Sequence, residues 1–224
     1  MAYRQLKSRV LALLRSPDLT AALDEICRLA PRQVVNPLFG LLCHGEPLIR
    51  WRAITAMGEV VSRLAESNME AARIVMRRFM WSLNDESGGI GWGSPEAMGE
   101  IMARHAGLAC EYGCILVSYA DPAGNFLEHP GLQLGLLWGL GRLGRVRPEI
   151  VGQAIAHIRP FLRSSDPDLR GMSIWALTPF KDEQLRSLPW PLLSDDRHLT
   201  IYIDNELTDC VIGELAATLA SSGK

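Results

Sequence analysis

Several features that place a chain quickly in a functional class are missing from this 224-residue sequence. Its five cysteines (Cys27, Cys43, Cys110, Cys114 and Cys210) form no Cys-x-x-Cys pair. That reads as reduced, cytosolic usage and not as a disulfide framework, and a cytoplasmic protein is the expectation. No stretch approaches 18 uninterrupted apolar residues, so no transmembrane span is expected. An excess of one charge is also absent. Lys and Arg number 23 against 25 Asp and Glu, for a net charge of −2 and a pI of about 6.2. Nucleic-acid binders usually carry a basic excess, so this balance argues against one. The chain has no Gly-x4-Gly-Lys-Ser/Thr phosphate loop and no adjacent His-Glu pair of the kind that binds paired irons. What remains is 48% hydrophobic and 21% charged, a composition well able to bury a core.

The clearest positive signal is a repeat. Ala56-Met-Gly-Glu59 recurs as Ala97-Met-Gly-Glu100 at an offset of 41, and Arg63 and Arg104 fall in step. A looser copy from Pro130 sets Gly141 in the slot of Gly58 and Gly99, and a fourth, from Pro167, puts Thr178 there. A period near 40 residues predicts a solenoid of helical hairpins, each burying its apolar face only against its neighbours. Apolar spacing within the copies is helical, as at Ile54, Met57, Val61 and Leu64. Gly costs about 1 kcal/mol relative to Ala inside a helix, so its recurrence in one slot predicts a tight helix crossing there. Glu59/Arg63 and Glu100/Arg104 read as i,i+4 pairs supporting their helices on an exposed face.

The segments Pro47-Leu-Ile-Arg-Trp-Arg-Ala-Ile-Thr-Ala-Met-Gly58 and Asp166-Pro-Asp-Leu-Arg-Gly-Met-Ser-Ile-Trp-Ala-Leu177 resemble the second-helix consensus of HEAT-like repeats, including the phycobilin-lyase HEAT-like subgroup. The resemblance covers roughly residues 20 to 180. It implies an all-α fold, an α/α superhelix of about five hairpins. It says little about activity, because such repeats serve as scaffolds, lyases, hydroxylases and DNA glycosylases alike.

Read in order, the chain predicts helices at Tyr3–Arg15, Leu19–Leu29, Pro31–Cys43 (with Pro37 inside), Pro47–Ala65 and Met69–Leu83. Further helices are expected from Ser94 to His105 and at Gly107–Ala120, Pro130–Leu143, Pro148–Leu162 and Asp168–Leu177. The basic, amphipathic start reads as a first helix and not as a targeting peptide. After Phe180 the pattern changes. Leu188-Pro-Trp-Pro breaks helix formation, and His198-Leu-Thr-Ile-Tyr-Ile alternates. Asp204-Asn205 then signals a turn, so a small β-hairpin and a final helix from Gly213 to Ala220 are expected. The chain therefore divides into a repeat domain, 1–182, and a C-terminal cap, 183–224. The hairpin should pack on the last repeat, since a hairpin alone is marginal in water.

The most unusual local chemistry lies at residues 84–100. Four glycines in six residues (88–93) make a loop, with Ser94 expected as helix N-cap, Pro95 behind it and Glu96 in the first turn. Asp85, Glu86, Gly88, Gly89, Trp92, Ser94, Glu96 and Glu100 are the candidate binding residues. Exposed amides and a helix N-terminus favour anions, while the carboxylates favour cations, and the two partly oppose each other. The alternative reading is a long connector whose Trp92 plugs between layers. Acidic residues do not fall at the alternate positions of an EF-hand. A second grouping, His105, Cys110, Glu111 and Cys114, could offer zinc ligands, but cysteines at helical spacing are more often small core residues. Trp51, Trp81, Trp92, Trp138 and Trp175, with Arg142, Arg145, Arg147, Arg159 and Arg163, could line a glycosylase-like basic face or, more simply, pack between layers.

The expectation is thus a non-catalytic scaffold or binding module with no cofactor, no metal site and no catalytic residues. It would take a protein partner, or a small-molecule ligand, on its concave face and at the Gly-rich loop. The alternative is a tetrapyrrole-handling, lyase-like protein or a HEAT-class repair glycosylase.

Overall fold

The computed structural model describes residues 3–84, 90–180 and 190–221. Five helix pairs follow one another among them. They are α1 (Tyr3–Leu14) with α2 (Leu19–Cys27), α3 (Pro31–Phe39) with α4 (Pro47–Ser67), α5 (Met69–Leu83) with α6 (Ser94–Arg104), and α7 (Ala106–Ser118) with α8 (Pro130–Gly144). The fifth joins the short α9 (Pro148–Val151) and α10 (Ile155–Ile158) to α11 (Pro167–Leu177). A single-turn α12 (Trp190–Leu193), strands β1 (His198–Ile203) and β2 (Glu206–Val211) and α13 (Ile212–Ser221) close the chain. The fold is an α-solenoid with a small C-terminal hairpin. Among the described residues no helix is long and apolar enough to cross a membrane.

Helix starts follow their side chains. Asp18, Asn68 and Asp166 accept hydrogen bonds from the first-turn amides of Ala21, Ala71 and Asp168 at 2.9–3.0 Å, which satisfies donors that have no intrahelical partner. Two expectations need correction. The helix through Pro37 stops at Phe39 and not at Cys43, finishing in tight turns. The single helix expected at 148–162 is broken into α9 and α10 by 3₁₀ turns at Gly152–Ala154 and Arg159–Arg163. Gly152 offers nothing to pack, and Pro160 removes an amide from the ladder.

Helices α2, α4, α6, α8 and α11 pack side by side as one layer, while their partners form the other. Glycine sets the spacing of the first layer. A Cβ on Gly99 of α6 would lie 2.5 Å from the Cα and carbonyl oxygen of Gly139 on α8, so these backbones touch. Gly58 makes room for the stem of Glu100, and Gly141 for Trp175 and Ala176. The repeated glycine slot is thus the crossing point between successive helices. The α4–α6–α8–α11 layer is drawn close, and we call it the inner layer.

The hairpin does more than cap the last repeat. Asp204 and Asn205 both take positive φ (50° and 69°), as a two-residue hairpin turn requires, and Ile203 faces Glu206 across it. Leu199 and Ile201 are buried, with Leu199 against Gly171 of α11. Tyr202, on the opposite face, reaches back across the inner layer. Its ring stacks on Trp51 of α4 at 5.1 Å, its hydroxyl lies 3.1 Å from Thr55 Oγ1, and its carbonyl accepts from Trp138 Nε1 at 2.9 Å. Burial of these three β1 side chains is worth about 1.5–3 kcal/mol each. At the hairpin's base, Asp195 is buried between Arg197 and Arg170 of α11, whose hydrogen bonds hold its carboxyl at about 2 against the opposing effect of burial. The boundary expected at residues 182–183 lies outside the described residues.

Gly99→Ala tests the close approach. Helix propensity alone would stabilise the variant by about 1 kcal/mol. The new methyl has nowhere to go, so a net loss of about 1–3 kcal/mol is expected in urea denaturation. Equal or greater stability would show that α6 and α8 are not locked at that crossing.

Candidate functional site

Of the candidate residues, Asp85, Glu86, Gly88 and Gly89 lie outside the described residues. The other four do not form one cluster. Gly93, with φ of 76°, holds the N-cap position of α6 in place of Ser94. A side chain there would strike Leu42, and the left-handed backbone suits glycine. Ser94 is instead the first helical residue, buried, with its hydroxyl 2.9 Å from that of Ser82 on α5. Trp92 is 38% exposed, so it does not plug the layers. It lies edge-on to His129 at 4.9 Å and over Gly131, at the start of α8.

Glu96 and Glu100, one turn apart on α6, have opposite fates. Glu96 is 7% exposed and wedged against Gly135 of α8, and its Oε2 has no hydrogen-bond partner. Burial raises its pKa to about 7, offset only in part by its own backbone amide and by the charge of Arg50 on α4. Glu100 is also buried, but both of its oxygens are taken. Oε1 accepts from Arg104 Nε at 2.5 Å and Oε2 from Arg142 Nε at 2.6 Å. Arg104 continues to Glu59, and Glu59 accepts from Arg63 at 2.8 Å. The i,i+4 pairs are therefore not isolated supports on an exposed face. They join α4, α6 and α8 in a chain of five alternating charges, because the position after the repeated glycine faces the same way in each copy.

Beside this chain runs a row of rings. Trp51, Trp138 and Trp175 come from α4, α8 and α11, with centroids 4.7 and 6.1 Å apart. These three are buried against one another and beneath Tyr202 of the hairpin, with Trp138 and Trp175 bordering the open face of the layer, whereas Trp81 is 76% exposed and belongs to no such row. Between the rings, the charge chain and the hairpin tip lies an open cavity of about 460 Å³. Its walls include Arg104, Arg142, Arg145, Trp175, Tyr202 and Asp204. Arg145 as a residue is exposed, but its guanidinium lies flat on Trp175, 3.6 Å from the ring centroid. It donates to the Gly141 and Trp175 carbonyls and to Thr178 Oγ1, all neutral. Loss of solvation and the charge of Arg142 lower its pKa to about 10, and Asp204 acts in the opposite sense.

Composition alone did not reveal this cavity. The repeat placed Glu59, Glu100 and Arg142 in equivalent slots, but Tyr202 and Asp204 arrive from 60 residues downstream of Arg142. The histidine and cysteine grouping disperses. His105 caps α7 by accepting from Leu108, and Cys110 and Cys114 are exposed instead of core. Among the described residues no three His, Cys, Asp or Glu side chains converge as metal ligands do.

No family model matches the chain, and no curated protein matches it. Solved structures do. An engineered protein superposes with a TM-score of 0.55 at 13% identity, covering 97% of this chain and 96% of its own. A designed armadillo repeat protein in complex with the peptide (KR)4 gives 0.54 at 15% identity, over 98% and 99%. Computationally designed armadillo repeat proteins for modular peptide recognition give 0.51 at 16%, over 98% and 100%. The shared fold is an armadillo/HEAT-like solenoid over essentially the whole chain.

The raised pKa of Glu96 has a defined consequence for stability. The folded state keeps a proton that the unfolded chain releases near 4.5. This contribution is fully present below pH 4.5, is lost as pH rises toward 7, and is constant above that. Between pH 4.5 and 8 the native chain should therefore lose about 3 kcal/mol relative to Glu96→Gln. Urea melts of both proteins across that range check this, and parallel curves would mean that Glu96 titrates in the folded chain as it does in the unfolded one.

Proposed function

We propose that the protein is a non-catalytic repeat scaffold that binds an extended segment of a protein partner across its inner layer. The observation that carries this reading is the open cavity across α4, α6, α8 and α11, where a charge chain, an aromatic row and the hairpin tip meet. Solenoids present extended curved surfaces of this kind to their partners. The designed armadillo neighbours, two of them described by their peptide recognition or peptide complex, support the same use of the fold.

In this reading Trp92, which lies over Gly131 at the start of α8, borders the other end of the layer. Gly131 and Arg145 are 14 residues apart on and just beyond α8, or roughly 20 Å at helical rise. Trp92 is then a second contact, proposed together with Asp85, Glu86, Gly88 and Gly89, which precede it in the sequence. Tetrapyrrole handling, which the phycobilin-lyase resemblance implies, is the competing use of the same face.

Selection of a displayed random-peptide library on the full chain tests the proposal, with biliverdin run in parallel as the tetrapyrrole probe. Enriched peptides should cross-link to α4, α6 or α8 and should weaken at least about tenfold in Arg142→Glu. Peptides that map only to the outer layer, or stoichiometric biliverdin binding with no enriched peptide, would overturn it.

A further inference from the structure

We infer that the cavity is an acidic-residue pocket, in which a partner segment places a carboxylate side chain against Arg145 and Arg142. The inference rests on the scaffold reading and names the chemistry of its partner.

Charge complementarity carries it. The cavity wall holds three arginines, Arg104, Arg142 and Arg145, against two carboxylates, Glu100 and Asp204. Glu100 is already committed to Arg104 and Arg142, and Glu59 satisfies Arg104 a second time. Arg145 is different, because all three of its hydrogen-bond partners are neutral. Its guanidinium is fixed in place by the Trp175 ring and Thr178, so it presents a preorganised charge at the cavity edge. The carboxylate nearest in kind is Asp204 at the hairpin tip. It acts on Arg145 through space, and none of the three hydrogen bonds that Arg145 donates goes to it.

Asp204 therefore marks the ligand's chemistry without filling its place. The hairpin itself stays put, since Leu199, Ile201 and Tyr202 are buried too deeply for a linear segment to displace. A carboxylate entering beside the tip would reach Arg145 in a partly desolvated setting, where charge-assisted hydrogen bonds are strong. A basic segment would meet Arg142 and Arg145, and of the two wall carboxylates only Asp204 at the hairpin tip is not already paired with an arginine.

The test uses the full chain with two N-acetylated, C-terminally amidated octapeptides, (DE)4 and (KR)4, followed by tryptophan fluorescence and calorimetry. (DE)4 should bind, weaken steeply as salt rises, and weaken about tenfold or more in Arg145→Gln. Because Arg145 also ties α8 to α11, its loss could act through the fold, so a gain of binding is the stronger readout. Asp204→Asn keeps a residue that tolerates the left-handed turn and removes the competing carboxylate. It should tighten (DE)4 by about two- to fivefold. The inference falls if (KR)4 binds the native chain more tightly, or if Asp204→Asn leaves (DE)4 unchanged or weaker. It also falls if neither octapeptide binds while library-selected peptides still map to the inner layer. That last result would leave the scaffold reading standing.

Discussion

The backbone contact between α6 and α8 at Gly99 and Gly139 is the constraint on which the rest of the inner layer depends. Ordinary side chains at that crossing would hold the helix axes several ångströms further apart. At the observed spacing, Glu100 accepts from Arg104 on its own helix and also reaches across the gap to Arg142 on the next. At a wider spacing the same carboxylate could satisfy one arginine and would leave a buried charge half-paired, which is costly. Close packing and charge pairing are therefore one arrangement seen at two levels.

The contrast between Glu96 and Glu100 shows how finely that arrangement discriminates. They sit four residues apart on one helix, Glu96 packed on Gly135 of α8 and the stem of Glu100 over Gly58 of α4. Glu100 meets two guanidinium groups, one at each carboxylate oxygen. Glu96 meets a glycine, with Arg50 acting only from a distance, and is shifted toward its neutral form. Position along the crossing decides which carboxylate belongs to the charged face.

The hairpin converts a repeat array into a surface with a specific pocket. An open solenoid would leave Trp51, Trp138 and Trp175 as a solvent-facing aromatic strip. Tyr202 closes part of it by stacking and hydrogen bonding, and it brings Asp204 within electrostatic reach of Arg145. What remains open is a cavity with polar and aromatic walls. Specificity in such a scaffold then comes from one inserted segment as much as from the repeats themselves.

Much of the fold was legible in the residues. The 41-residue offset, the glycine slot and the Asp204-Asn205 turn are local signals. Each imposes its own backbone geometry or packing period, so the helical pairs, the tight crossings and the hairpin could all be read from them. The exceptions, at Pro37 and at 148–162, fell where a proline or glycine left the helix too weak to continue. The site was much less legible. Ser94 looked like a cap until Gly93 took the left-handed position, and Cys110 and Cys114 looked like core until their helix face turned to solvent. Above all, no local pattern could place Tyr202 on Trp51 or Asp204 opposite Arg145. By itself, the sequence determined the repeat and the charges that each copy carries, because periodicity and side-chain chemistry act over a few residues. Only the tertiary structure decided which charges are paired, which carboxylate is neutralised and where a cavity stays open, because those depend on contacts between residues as far as 147 positions apart in the chain.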